Sequence, residues 1–179
     1  IYDTLLKYNA KNIVLDPVMV STSGYRLLKE DAENAICSLI EISNIVTPNI
    51  PESEIISGIK VSNEDDMEKA ALLIQKNGAN NVLLKGGHLS GDSNDFLLTG
   101  SSGKWFNENR IISKNTHGTG CTLSSAIACG LAHGKNIEEA VSDAKNYLTQ
   151  AIHDASSIGH GAGPLNHMKQ LYVKAGLPY

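Results

Sequence analysis

Short apolar runs alternate along the chain with longer stretches whose apolar residues recur every three or four positions. The runs read as buried strands and the periodic stretches as helices packed on them. Residues 1–10 form an amphipathic helix, and "NIVLD" (12–16) is a strand ending in a carboxylate. Residues 29–42 place Ala32, Ala35, Ile36, Leu39 and Ile40 at helical spacing. "NIVTPN" (44–49) is a second strand stopped by Pro48, and "PESEIISG" (51–58) is a short helix opened by Pro and closed by Gly. Ser62 with Asp65 resembles a capping box for a helix running to about Asn77, which Gly78 ends. "NVLLKGG" (81–87) is a third strand; 94–98 and 104–112 are a pair around the "GSSGK" turn. Helices over 119–133 and 137–157 follow, with Asn136 and Glu139 marking the start of the second, and "GHGAGPLNH" closes as loop.

This order predicts an α/β fold with a mostly parallel central sheet and helices on both faces, built as one domain over 1–179. In such sheets the loops at the carboxyl ends of the strands gather on one edge. Asp16, Asn49 and Lys85 each fall at or just past such an end, so the pattern predicts that they meet on one rim. The opening helix feeds straight into a strand, as in the middle of a doubly wound fold. An amino-terminal part of the native protein is therefore expected to be missing from the sequence.

Composition narrows the function classes. The chain has 179 residues, a formal charge of −4, 41% hydrophobic and 19% charged residues, which suits an ordinary globular unit. No Lys/Arg stripe is present to neutralise phosphates, so nucleic acid is not an expected partner. No apolar run approaches the roughly 20 residues of a membrane span. Cys37, Cys121 and Cys129 are odd in number and lack metal or redox spacing, which fits reduced thiols and a cytoplasmic location. Cys37 and Cys129 read as small packed thiols.

Candidate chemistry centres on "NTHGTGCTLSSA" (115–126). Gly118 and Gly120 allow a tight turn with N–H groups pointing outward, and the following helix adds the positive end of its dipole. That arrangement stabilises a phosphate or a developing oxyanion, although glycines for close packing give the same pattern. A thiol at the first turn of a helix is favoured as thiolate, which places Cys121 to accept a proton. Asp16 is either a turn residue held by Pro17 or, with Glu52, a hard oxygen ligand reaching Mg²⁺ through water. Asn49 and Glu52, three apart, read equally as a helix start. Lys85 ends a buried strand, where an unpaired ammonium is costly and an anionic ligand is a natural partner. Two carboxylates, a lysine and a glycine-rich helix start together suit phosphoryl transfer. His117 reads as a hydrogen-bonded loop residue and Trp105 as strand packing.

"DPVMVSTSGYRLL", "VTPNIPE", "LLKGGHL", "NTHGTGCTLSSAIA" and "GHGAGPLNH" resemble, in order, motifs of the hydroxymethylpyrimidine and phosphomethylpyrimidine kinases of thiamin biosynthesis, members of the ribokinase-like superfamily. The resemblance runs from about residue 11 to 168. It implies ATP-dependent phosphorylation of the pyrimidine's hydroxymethyl group and then of the monophosphate, with Mg²⁺ as cofactor. It assigns Asp16, Asn49 and Lys85, with Gly161 and Gly163 of the closing loop, to ATP. It assigns Asp16 and Glu52 to the metal, the latter through water, and Val18 to the pyrimidine pocket. Gly118, Thr119 and Gly120 become the anion hole, and Cys121 stands where many superfamily members carry the catalytic Asp. The resemblance also implies a homodimer, and it leaves the family's amino-terminal third without a counterpart, so this stretch alone is expected to lack useful activity. The alternatives are a pyridoxal kinase, whose branch also uses "HGxGC", and a non-catalytic nucleotide-binding fragment.

Overall fold

The computed structural model describes residues 1–19, 30–87, 93–108, 110–156 and 160–178. They fall into two compact units, Ile1–Arg110 and Ile111–Tyr179. The stretch 20–28 of the "DPVMVSTSGYRLL" motif, Lys29 of the second expected helix, His88 and Ser157 lie outside the described residues.

The first unit runs α1 (Tyr2–Lys7), β1 (Val14–Leu15), α2 (Glu30–Ile42), β2 (Ile45–Val46), α3 (Ile50–Ser57), α4 (Glu64–Lys76), β3 (Asn81–Leu84), β4 (Asp95–Thr99) and β5 (Ser102–Phe106). The strands lie in chain order in one sheet. β1, β2 and β3 are parallel, with Leu15 opposite Val46 and Val46 opposite Val82; β4 and β5 add antiparallel. The parallel part is made by the helical crossovers, as the alternation of elements requires.

One core joins α2, α3, α4 and the sheet. Met67, Ala70, Ala71 and Ile74 of α4, spaced by three and four, are fully buried with Ile40, Val46, Val82, Leu84 and Phe96. The intervening Ile45, Leu83 and Leu97 are buried as well, so strand residues of both orientations are shielded from water, as expected of parallel sheets.

Several boundaries differ from expectation; α6, for one, ends at His153 rather than at 157. The α4 cap lies one residue later than the Ser62/Asp65 box: Asn63 is the N-cap and its side chain accepts the Asp66 N–H, while Asp66 accepts from Ser62 N. The β4–β5 turn is Gly100–Ser101 rather than the whole "GSSGK", and β5 stops at Phe106. Gly100 takes φ +55° as the first central residue, the position where a type II′ hairpin turn wants glycine. Gly103 is thereby inside the strand, where a Cβ would sit 2.6 Å from the Phe96 ring. Trp105 packs on Phe96 at 4.9 Å and donates to Glu68 Oε1 at 2.9 Å, which bears out its reading as strand packing.

The second unit holds α5 (Thr119–Ala132), α6 (Ile137–His153) and a short α7 (Lys169–Lys174), the last not anticipated. Asn136 and Glu139 form the capping box of α6. Gly130 lets α5 approach α6 closely: a Cβ there would meet the Ala140 Cβ at 2.9 Å. Asp154, at the end of α6, accepts from Lys169 at 2.7 Å and Gln170 at 3.0 Å, tying α7 down. No described helix is long and apolar enough to cross a membrane.

Candidate functional site

The chemistry-bearing residues form two clusters, one in each unit. In the first unit β1, β2 and β3 end at Leu15, Val46 and Leu84, so the next residues emerge on the same rim. Lys85 N–H donates to Pro48 O at 2.8 Å and Lys85 pairs with Asn49 as a parallel bridge, extending the β2–β3 register past the strands. The rim expected for Asp16, Asn49 and Lys85 is thus formed.

Lys85 is not unpaired, contrary to the premise from which its anionic ligand was argued. Its Nζ lies 2.7 Å from Asp16 Oδ1, with side-chain exposures of 14% and 13%. Asp16 follows β1 and Lys85 follows β3, two strands further along the chain, and the pair spans 69 residues. The pairing offsets the cost of holding either charge in this sparsely hydrated place. Thr47 Oγ1 also donates to Asp16 Oδ1, at 3.1 Å. Val18, just past Asp16, is exposed, and its N–H donates to Asp16 O at 2.9 Å.

Asn49 and Glu52 realise the helix-start reading. Asn49 Oδ1 accepts the Glu52 N–H and Glu52 Oε2 accepts the Asn49 N–H, both at 2.9 Å, closing a capping box on α3. Glu52 is nonetheless only 2% exposed. Burial pushes its carboxyl above the usual carboxylate range, against the N–H of Asn49 and the charge of Lys85, with Asp16's charge adding to the rise. Downstream of Lys85, Gly86 N–H donates to Asp95 Oδ1 at 2.9 Å, and a Cβ on Gly86 would lie 1.9 Å from Asn94 O. That glycine is demanded by a backbone approach.

In the second unit Gly118 is the N-cap of α5 with φ +82°, a left-handed conformation that glycine adopts without strain. The first helical bond runs from Thr122 N to Gly118 O, at 2.9 Å. The N–H groups of Gly120 and Cys121 have no acceptor among the described residues. They are the free donors of a helix start, and the dipole makes them a place for negative charge. Cys121 is exposed and opens on a cavity of about 840 Å³, lined also by Gly118, Ser125, Cys129, Tyr147 and His167. The closing loop lies beside this turn: His117 N–H donates to Gly163 O at 3.3 Å, and His117 bridges to Pro164. Gly163 is buried against Asn115, where a Cβ would sit 2.1 Å from Oδ1, whereas Gly161 is exposed and a Cβ there would meet nothing within 4 Å among the described residues. His117 is thus a loop residue held through its backbone.

Cys37 and Cys129 correct the reading of packed thiols, since both are exposed. Ile36 and Ile40 take the inward face of α2, and Leu123, Ile127 and Leu131 that of α5, which turns both cysteines outward. Thr47, Asp95 and Asn115 are further polar residues at these clusters that the sequence motifs do not single out. Thr47 follows an apolar run and Asp95 precedes one, which is the signal the sequence offers for them, whereas Asn115, between Lys114 and Thr116, has none.

As a magnesium site the first cluster is chemically apt. Mg²⁺ takes hard oxygen donors and keeps several waters, completing its shell from one or two carboxylates and the phosphates. Asp16 Oδ1 holds both protein donors and Oδ2 holds none among the described residues, which leaves one carboxylate oxygen open.

Residues 1–166 match the family model described as phosphomethylpyrimidine kinase. Among curated proteins the chain is 43% identical over 155 residues to the hydroxymethylpyrimidine/phosphomethylpyrimidine kinase of Streptomyces coelicolor, covering 86% of this chain and 58% of that one. Among solved structures it resembles phosphomethylpyrimidine kinase from Clostridium difficile, with TM-score 0.74 and 47% identity over 84% of this chain and 62% of the other. It also resembles an ADP complex of Bacillus subtilis pyridoxal kinase, with TM-score 0.85 and 30% identity over 95% of this chain and 64% of that one. The chain therefore spans less than two thirds of the length of each of these proteins.

Proposed function

The chain belongs to the phosphomethylpyrimidine kinase family, with a ribokinase-like α/β fold, and from that premise we propose that the protein phosphorylates hydroxymethylpyrimidine and its monophosphate from ATP in thiamin synthesis. The observation that carries this reading is the pair of clusters: an Asp–Lys rim suited to a metal-bound nucleotide, and a glycine-capped helix start with open N–H donors beside a thiol. Both units are read as parts of one kinase domain, working in the cytoplasm as a homodimer.

In this reading Lys85, Asn49 and the loop with Gly161 and Gly163 hold ATP, and Val18 contributes to the pyrimidine pocket. Mg²⁺, when bound, would be held by Asp16, with Glu52 reached through water, and would neutralise phosphate charge. The substrate's hydroxyl oxygen forms a bond to the γ-phosphorus as the bond to the ADP oxygen breaks. Cys121 is the group placed to take the hydroxyl proton. The N–H groups of Gly120 and Cys121, at the Gly118–Thr119–Gly120 helix start, stabilise the negative charge on the transferred group.

Pyridoxal phosphorylation is the second reading, favoured by the higher TM-score of the pyridoxal kinase. The test is a competition between the two alcohols with γ-labelled ATP, run on the protein at its native length because the 179-residue stretch alone is expected to lack useful activity, with products resolved by mass spectrometry. Labelled pyrimidine mono- and pyrophosphate are expected. Preferential labelling of pyridoxal would replace the proposal, and nucleotide binding without transfer to either would make the protein a binder.

A further inference from the structure

We propose that Thr47 is a positioning residue: its buried hydroxyl sets the rotation of the Asp16 carboxylate so that Oδ2 is presented to a divalent cation. The inference rests on the nucleotide–metal reading of the rim given above.

Thr47 is the first residue past β2 and is fully buried. Its N–H donates to Leu15 O at 2.9 Å, continuing the β1–β2 ladder, so that carbonyl is already served by backbone. The hydroxyl lies 3.5 Å from the same carbonyl but 3.1 Å from Asp16 Oδ1. A hydroxyl has one proton to give, and the shorter, charge-assisted bond to the carboxylate is the stronger use of it. Lys85 Nζ reaches the same Oδ1 at 2.7 Å. Two donors thus converge on one oxygen, while Oδ2 holds none among the described residues.

The need for such a constraint is mechanical. The Cβ–Cγ torsion of aspartate is broad and roughly two-fold, so the side chain does not fix its own carboxylate plane. The flexible stem of Lys85 would follow that plane rather than define it. Thr47 is different: a β-branched residue is stiff at χ1, and here strand packing holds it out of water. Mg²⁺ requires near-octahedral geometry, so a free-turning carboxylate is a poorer ligand than one held in plane. Partners behind a metal ligand of this kind are typically worth about 10–100-fold in metal affinity or activity.

The experiment is calorimetric titration of the 179-residue chain with AMP-PCP, with and without Mg²⁺. It compares wild type, Thr47→Val, Thr47→Ser and Asp16→Asn, with circular dichroism for folding. Valine keeps the branched shape and deletes the hydroxyl; serine keeps the hydroxyl. Thr47→Val should weaken Mg²⁺-dependent affinity by about 10–100-fold while leaving Mg²⁺-free affinity within about two-fold, and Thr47→Ser should stay near wild type. Thr47→Val binding like wild type while Asp16→Asn is weakened would overturn the proposal and leave the site reading standing. Thr47→Ser failing as Thr47→Val does would also overturn it, since the hydroxyl would then not be the active element. Asp16→Asn equal to wild type, or no Mg²⁺-dependent binding in wild type, would defeat the site reading and this inference with it. If the valine variant does not fold, Thr47→Ala takes its place in the same titration and is judged against serine in the same way.

Discussion

Replacing Lys85 by methionine removes the ammonium and keeps most of the apolar stem, which isolates the charge of the Asp16 pair. Both side chains are only 13–14% exposed, so the carboxylate left behind would be a largely dehydrated charge without its ion-pair partner. Breaking a fully buried pair from one side costs about 3–5 kcal/mol, and an exposed pair contributes about 0–1. The Thr47 hydroxyl still donates to Asp16 after the substitution, and the residual exposure lets some water in. A loss of about 2–3 kcal/mol follows, which for a chain of this length means a Tm lower by about 5–10 °C. Urea unfolding of wild type, Lys85→Met, Asp16→Asn and the double variant closes the cycle. The double variant should recover most of the loss, because methionine beside a neutral amide strands no charge. A Lys85→Met loss below about 1 kcal/mol, or a double variant as weak as the sum of the singles, would refute this account of the rim.

Three further outcomes are expected. Gly86→Ala should cost more than about 2 kcal/mol in urea unfolding, since the Asn94 carbonyl lies 1.9 Å from the new Cβ, while Gly87→Ala, with nothing within 4 Å, should be tolerated. Glu52→Gln should be more stable relative to wild type as pH rises above 4.5: the buried carboxyl holds its proton more tightly folded than unfolded, so its stabilising contribution is present below 4.5 and is lost as pH rises through the raised folded value. Urea midpoints across that range check the sign, and a difference that shrinks with rising pH would contradict it. In the protein at its native length, Cys121→Ser should cut turnover by at least about 100-fold with AMP-PCP affinity unchanged, and a near-normal rate would hand the proton to another group.

The elements and the rim were legible in the sequence because strand runs, caps and β3-to-glycine punctuation are local signals. Asn49, Glu52 and Gly58 mark α3 within ten residues, and the structure uses all three. Lys85's partner was not legible, because the contact with Asp16 spans 69 residues and depends on strand order. Ser62 and Asn63 both qualify as caps; burial of Met67, Ala70, Ala71 and Ile74 on one stripe is satisfied with Asn63. Gly103 looked like turn because a strand glycine makes sense only once Phe96 is known to lie against it. The exposure of Cys37 and Cys129 was readable from helical phase against Ile36, Ile40 and Ile127, but residue type pointed the other way.

The central proposal is that the Gly118–Cys121 helix start takes part in a nucleotide-dependent transfer. Alkylation of the three exposed thiols, followed peptide by peptide by mass spectrometry with and without Mg²⁺·AMP-PCP, tests it directly. The account predicts that the nucleotide slows labelling of Cys121 and not of Cys37. Cys121 labelled at one rate in every condition would contradict it.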